Sequence, residues 1–259
     1  MNSSTCSGLM NNEERLLWAV LCFAFCALAF LIPGLAMSAG WEIDPVRVEL
    51  TSQQKTAAVT VKNNSDQPTS IQIHAVAWTQ VDGKDIYNPT DDLLVSPPIV
   101  TIAPKSEQII RVALRRQADS SKELAYRITM QELPPSLTPN FSGVQVALRI
   151  GLPVFVQSVN GEAAAKLIWK VSRMPDSKLK VGVQNQGNAH IQISDFALYN
   201  PGGKQSVSGE AGSSYILAGQ SHEWLLLTNP FEKITSKHLH LKAYTDTGNV
   251  DTVLVLGRL

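Results

Sequence analysis

Gly143-Val-Gln-Val-Ala-Leu-Arg-Ile-Gly-Leu-Pro153 decides how this chain is read. From Val144 to Leu152 every second residue is a large aliphatic: Val144, Val146, Leu148, Ile150 and Leu152. Side chains alternate across a strand, so the five share one face, and Gln145, Ala147, Arg149 and Gly151 take the other. Two readings are open. The row is the inner face of a half-buried strand in an ordinary β-sandwich, or it is a donor strand that lends its aliphatic side chains to another protein.

Working outward, the N-terminus reads as an export signal. Leu16 to Leu35 is almost wholly apolar, and Gly34-Leu-Ala-Met-Ser-Ala39 supplies small residues for cleavage after Ala36, Ser38 or Ala39. A membrane anchor is the competing reading, because the apolar run approaches spanning length. Pro33 and Gly34 break its end and favour cleavage. Cys6, Cys22 and Cys26 are the only cysteines, and all fall inside this leader. The exported chain is therefore expected to lack disulfides, thiol catalysis and thiolate metal sites, and to depend on its core alone. The leader carries away Glu13, Glu14 and Arg15, so the remainder stays within one charge of neutral. Such a balance argues against nucleic acid as a partner.

Everything after residue 39 reads as β structure. Alternating or β-branched runs span 46–50, 57–62, 71–78, 109–114, 126–132, 144–156, 166–171, 179–183, 191–198, 223–227, 238–244 and 252–256. Turn clusters such as Asn63-Asn-Ser-Asp-Gln-Pro68 and Tyr199-Asn-Pro-Gly-Gly203 separate them. Short strands with such punctuation predict sandwiches rather than parallel βαβ units. A weak repeat divides the chain. Val59-x-Val61-x-Asn63 with Ile71-Gln-Ile73 recurs as Val181-x-Val183-x-Asn185 with Ile191-Gln-Ile193, and Ile102-Ala-Pro-Lys-Ser106 is echoed by Leu217-Ala-Gly-Gln-Ser221. The expected organisation is a signal peptide over 1–39, a first domain over 40–157 carrying the alternating strand, and a second over 158–259, with the boundary in the polar turn Gln157–Gly161.

Several segments, taken in order, resemble the periplasmic pilus-assembly chaperones of the PapD type. They are Pro45-Val-Arg-Val-Glu-Leu50, the strand–turn–strand Val59–Ile73, the strand ending at Trp78, Ser96-Pro-Pro-Ile99, Ile102-Ala-Pro104 and Ile110-Arg-Val112. Tyr126-Arg-Ile-Thr-Met-Gln-Glu-Leu-Pro-Pro135 and the alternating strand after it are the most specific. The resemblance implies an all-β protein of two immunoglobulin-like sandwiches arranged as a boomerang around a cleft. It implies a periplasmic chaperone of fimbrium biogenesis that captures pilus subunits by donor-strand complementation and delivers them to an outer-membrane usher. Such capture needs no cofactor and no catalytic group. In that scheme Val144, Val146, Leu148 and Ile150 enter the subunit's groove, each contributing about 1.5–3 kcal/mol on burial, less the ordering cost of association. The short loop Ser136–Ser142 resembles the type whose subunits form pili. The exposed row also makes self-association of the idle protein an expectation.

The resemblance further implies that a cleft arginine and a lysine grip the subunit's terminal carboxylate. Arg47 matches the arginine. The lysine position falls on Pro153, or on Gly151 in a shifted alignment, and neither side chain can bind an anion. Arg149 lies on the same face as Pro153 and is the candidate replacement cation, with an ordinary surface charge as the other reading. His238-x-His240 could offer two imidazoles to a metal, but no third ligand is evident nearby, so no metal site is expected. No Gly-x-Ser-x-Gly or His-Glu-x-x-His motif occurs. The alternative class is a secreted structural β-sandwich, a pilin-like subunit or adhesin; it should lack one strand and carry a donor extension of its own.

Overall fold

A computed structural model describes residues 40–134, 146–160, 163–208 and 212–258. The expected export signal at residues 1–39 lies outside them, as do Val144 and the loop Ser136–Ser142. Among the described residues every regular element is a strand. The first sandwich contains β1 (Trp41–Asp44), β2 (Val48–Leu50), β3 (Thr56–Asn63), β4 (Thr69–Val81), β5 (Lys84–Pro89), β6 (Leu93–Ser96), β7 (Ile99–Ile102), β8 (Glu107–Leu114), β9 (Leu124–Leu133) and β10 (Arg149–Val156). One sheet runs β1-β3-β8-β6; the other runs β2-β10-β9-β4-β5, with β7 also paired to β4. Their inner faces share a core that includes Leu50, Val59, Ile71, Ile110, Ile128, Met130 and Val154.

The second sandwich follows with β11 (Leu167–Met174), β12 (Lys178–Asn185), β13 (Ile191–Tyr199), β14 (Ser214–Ile216), β15 (Ser221–Leu227), β16 (His238–Thr245) and β17 (Gly248–Arg258). Its strands follow one another as β14-β13-β16-β17-β11-β12-β15. The joint between the two layers is β17, which pairs with β16 along most of its length and then with β11 through Leu256–Arg258. Trp169, Leu179, Val181, Phe196, Ile216, Trp224 and Leu241 fill the space between the layers. The two-sandwich, all-β reading of the sequence is thus what the structure has.

The alternating strand starts later than its pattern predicts. Regular pairing begins at Arg149, and residues 146–148 are not strand. β9 runs on to Leu133, two residues past Gln131, the last partner of β10, but the next rung is only half made. Leu148 marks the transition. Its C=O accepts the Glu132 backbone N–H at 2.9 Å, and its own N–H donates to the Glu132 carboxylate at 3.1 Å.

The internal repeat has a physical basis in two buried asparagines. The Asn63 amide donates to the carbonyls of Gln67, Ile102 and Ala103, and its Oδ1 accepts the Ser65 N–H. The Asn185 amide donates likewise to Ala189, Ile216 and Leu217, and its Oδ1 accepts from Gly187 and Lys166. Each asparagine ties a hairpin turn to the strand across from it and satisfies carbonyls that would otherwise be buried unpaired. The sequence alignment of the repeat needs correction. By hydrogen bonding and register, Thr69 rather than Ile71 corresponds to Ile191, and Ile102 corresponds to Ile216 rather than Leu217. The hairpins are equivalent, but small shifts in the pairing of apolar residues disguised the register.

Removing either amide should therefore unfold its own sandwich more easily. Asn63→Ala and Asn185→Ala are each expected to cost about 1–3 kcal/mol, the range for stranded buried carbonyls. Urea titration followed by tryptophan fluorescence measures it, and a loss below about 0.5 kcal/mol would contradict this role.

Candidate donor strand and cleft

The site is built on β10. Its register against β9 pairs Leu152 with Ile128, Pro153 with Arg127, Gly151 with Thr129 and Arg149 with Gln131. One face of β10 therefore carries Ile150, Leu152, Val154 and Val156; the last three are buried in the first core, and Ile150 is half-buried. Upstream, the row leaves the core. Leu148 is half-buried and Val146 is 73 % exposed. A single aliphatic stripe thus runs from the centre of a sandwich into solvent.

The backbone edge follows the same division. On its outer side β10 pairs in parallel with β2, but only through Val154↔Val48, Phe155↔Glu49 and Val156↔Leu50. Among the described residues no strand pairs with that side of Arg149–Pro153. The exposed aliphatics and the open backbone edge therefore coincide, which is the arrangement that accepts an added strand.

The opposite face of β10 points to the cleft between the sandwiches. Parallel pairing at Val154↔Val48 puts Arg47, the residue before β2, beside Pro153 on one side; antiparallel pairing puts Arg127 beside it on the other. Two guanidinium groups thus flank the position at which the resembled family carries a lysine. Arg149 is placed elsewhere. It is exposed, opposite Gln131, and four residues of strand put it about 13 Å from Pro153.

Arg127 is the residue that sequence reading missed. Its guanidinium lies 4.2 Å from the centre of the Trp78 ring and 5.3 Å from that of Tyr87, and its buried Nε has no hydrogen-bond partner. Gly151 makes the room: a β-carbon there would stand 2.7 Å from Arg127 Cδ. An alternating strand beginning Tyr126-Arg-Ile gave the only signal, namely that Arg127 faces away from a core that Tyr126 and Ile128 enter.

Arg47 is held by two carboxylates, Glu49 at 3.2 Å from Nε and Asp246 at 2.6 Å from Nη1. Burial works against its charge, but its hydrogen bond to Asp246 and the charges of Glu49 and Asp246 outweigh it, so its pKa is raised. Burial also pushes the Tyr215 phenol up, while Arg47 and then Arg127 pull it back. The Tyr215 hydroxyl thus feels both cations. Pro45, Val46, Arg47, Glu49, Gln192, Tyr215 and Asp246 line a hollow of about 510 Å³.

The floor of the cleft is apolar. Trp78, Phe155 and Leu217 form a separate buried cluster, with Ala125 and Tyr215 packed against it. Gln80 crosses the joint, accepting the Leu217 N–H at 3.0 Å and donating to the Tyr215 carbonyl at 2.8 Å. His190 stacks on Phe155 with ring centres 3.4 Å apart, and its Nδ1 and backbone N–H both meet Glu123 Oε2. As for His238 and His240, no group of three His, Cys, Asp or Glu among the described residues is placed to hold a metal.

Comparison with known proteins relates the fold to others. Residues 40–159 match the family described as pili and flagellar-assembly chaperone, PapD N-terminal domain. No curated protein matches the chain in sequence. Among solved structures, the fold is similar to a chain of the CsuC–CsuE chaperone–tip adhesion subunit pre-assembly complex of Acinetobacter baumannii. That match has a TM-score of 0.62 at 21 % identity and covers 85 % of this chain and 100 % of that one. It is similar also to the CupB2 chaperone of Pseudomonas aeruginosa, with a TM-score of 0.55 at 18 % identity over 83 % of this chain and 100 % of that one. A third is the Salmonella enterica SafA pilin–SafB chaperone complex, with a TM-score of 0.57 at 16 % identity over 84 % and 96 %. At these identities the likeness is one of fold.

Gly151→Val should keep the strand, since β-branched residues suit it, but displace the Arg127 stem from Trp78. The expected result is a shifted Trp78 indole N–H resonance and a stability change within about 2 kcal/mol, the scale of a cation–π contact. An unmoved indole resonance would contradict the packing of Arg127 over that ring.

Proposed function

We propose that this chain is a pilus-assembly chaperone of the PapD type, since its residues 40–159 match the N-terminal domain of that family, and that it captures pilus subunits by donating β10 to them. The observation that carries the reading is the coincidence at one place of an open strand edge, over Arg149–Pro153, and an aliphatic row rising out of the core through Ile150, Leu148 and Val146. A subunit lacking a strand presents the complementary groove and edge. Backbone pairing supplies affinity there, and the alternate side chains supply register. Val144 is assigned to the same row by sequence parity.

On this reading the subunit's terminal carboxylate is gripped in the cleft by Arg47 together with Arg127, which flank Pro153 and replace the missing lysine. Arg149, about 13 Å along the strand, is a surface charge. Two guanidiniums suit the task because each presents paired N–H donors to a carboxylate. Residues 1–39 act as a cleaved export signal, the protein works in the periplasm, and an outer-membrane usher receives its cargo. With no subunit bound, the open edge of β10 is available for pairing with a second copy. No step requires catalysis. A secreted structural subunit is the weaker reading, because the family match covers the whole first sandwich.

The test is capture from the native periplasm by tagged protein, with co-purifying proteins identified by mass spectrometry. Leu148→Glu should abolish capture while leaving the fold intact, because it drives a charge into an apolar groove. Arg47→Ala and Arg127→Ala should each weaken it about 10- to 100-fold, the worth of a charge-assisted hydrogen bond. Capture indifferent to Leu148 would refute donor-strand binding.

A further inference from the structure

Arg47 is not free in the structure. A guanidinium can receive a carboxylate on two N–H donors at once, either along its side through Nε or at its end through the two terminal nitrogens. Here the side is engaged by Glu49 at Nε and the end by Asp246 at Nη1. An incoming carboxylate must displace one of them.

The two carboxylates differ in what surrounds them. Glu49 is half-exposed, and its alternative partner is water. Asp246, in the turn between β16 and β17, has a side chain only 17 % exposed and divides its oxygens between two tasks. Oδ1 accepts the Gln192 backbone N–H at 2.9 Å, while Oδ2 meets Arg47. The same Oδ2 lies 3.8 Å from Nε2 of His190, a buried ring nitrogen with no hydrogen-bond partner. A shift of about 1 Å would bring that pair to hydrogen-bond distance. Asp246 therefore has two positions prepared for one oxygen, and Glu49 has one.

We propose that Asp246 is a built-in competitor for the carboxylate of the captured partner: it occupies the end of Arg47 in the unloaded protein and swings to His190 when that carboxylate arrives. The proposal rests on the reading of Arg47 as the carboxylate anchor. It gives the anchor an internal stand-in that keeps a cation in the cleft paired until cargo comes. It also sets a threshold, since a ligand is favoured only by the difference between its own contact with Arg47 and that of Asp246.

Charged groups surround His190. Glu123 from the first sandwich faces Nδ1, Asp246 faces Nε2, Tyr215 lies alongside with its ring centre 5.8 Å away, and Arg47 stands beyond Asp246. Nδ1 already meets the Glu123 carboxylate, so receiving Asp246 at Nε2 requires an N–H at both ring nitrogens. One proton enters from solution as Asp246 moves, and the added carboxylate is balanced by the imidazolium.

Acetate, the simplest carboxylate, tests this without knowledge of the subunit. It is titrated into the leader-free protein while the Arg47 Nε–H resonance, assigned by its loss in Arg47→Lys, is followed by NMR. Asp246→Asn keeps an acceptor for the Gln192 N–H and removes the charge; it should raise acetate affinity at Arg47 about tenfold. Asp246→Ser, as a second replacement, should do the same. If acetate binds at Arg47 with equal affinity in all three proteins, Asp246 is no competitor and the inference fails while the anchor reading stands. If acetate leaves Arg47 unmoved in every protein, the anchor reading itself falls.

Discussion

Three residues of parallel pairing, Val48–Leu50 against Val154–Val156, constrain most of what this molecule does. Because the pairing is there, the lower half of β10 is a central strand, with Leu152, Val154 and Val156 fixed in the first core. Because it stops there, the upper half is an edge. The pairing also puts Arg47 beside Pro153 and aims it into the cleft. A longer β2 would cover the open edge of Arg149–Pro153; a shorter one would release Arg47 from its place. Core, open edge and the placement of Arg47 are therefore set by the length and register of one short ladder.

Such an edge is ordinarily a liability, since unpaired N–H and C=O groups beside aliphatic side chains invite aggregation. The chain keeps the exposure small. Ile150 and Leu148 are half-buried, and the Leu148 backbone is tied to Glu132 through both its N–H and its C=O. What stays in solvent is a short row whose position is held by the strand beneath it. That gives a preorganised template, so less ordering is needed when a partner strand is added.

Much of this was legible in the sequence. The parity of Val146, Leu148, Ile150 and Leu152 placed them in one row, which in the structure is core at Leu152 and leaves the core through Ile150, Leu148 and Val146. Val59-x-Val61-x-Asn63 and its echo pointed to paired hairpins, although only hydrogen bonds from Asn63 and Asn185 gave their true correspondence. Five strands escaped notice. β1, β6, β7 and β14 span three or four residues, too few to show a period, and all six residues of β5 are exposed, so its sequence carries no inward face. Arg127 and Asp246 were missed for a different reason. Each matters through a residue distant in sequence, Pro153 in one case and Arg47 in the other, and register between strands is not written in either segment alone.

The cleft shows why its charges are free to rearrange. Partly exposed ion pairs such as Arg47–Glu49 add little stability, about 0–1 kcal/mol. The two sandwiches are held by other means: the buried cluster of Trp78, Phe155 and Leu217, the stacking of His190 on Phe155, and the hydrogen bonds of Gln80 to Leu217 and Tyr215. These contacts lie beneath the carboxylates and involve neither Arg47 nor Asp246. A carboxylate can therefore change partners above the joint while the apolar floor keeps the sandwiches together. The division of labour follows from the physics: apolar burial is indifferent to which ion sits where, and so it can hold a geometry within which the ions exchange.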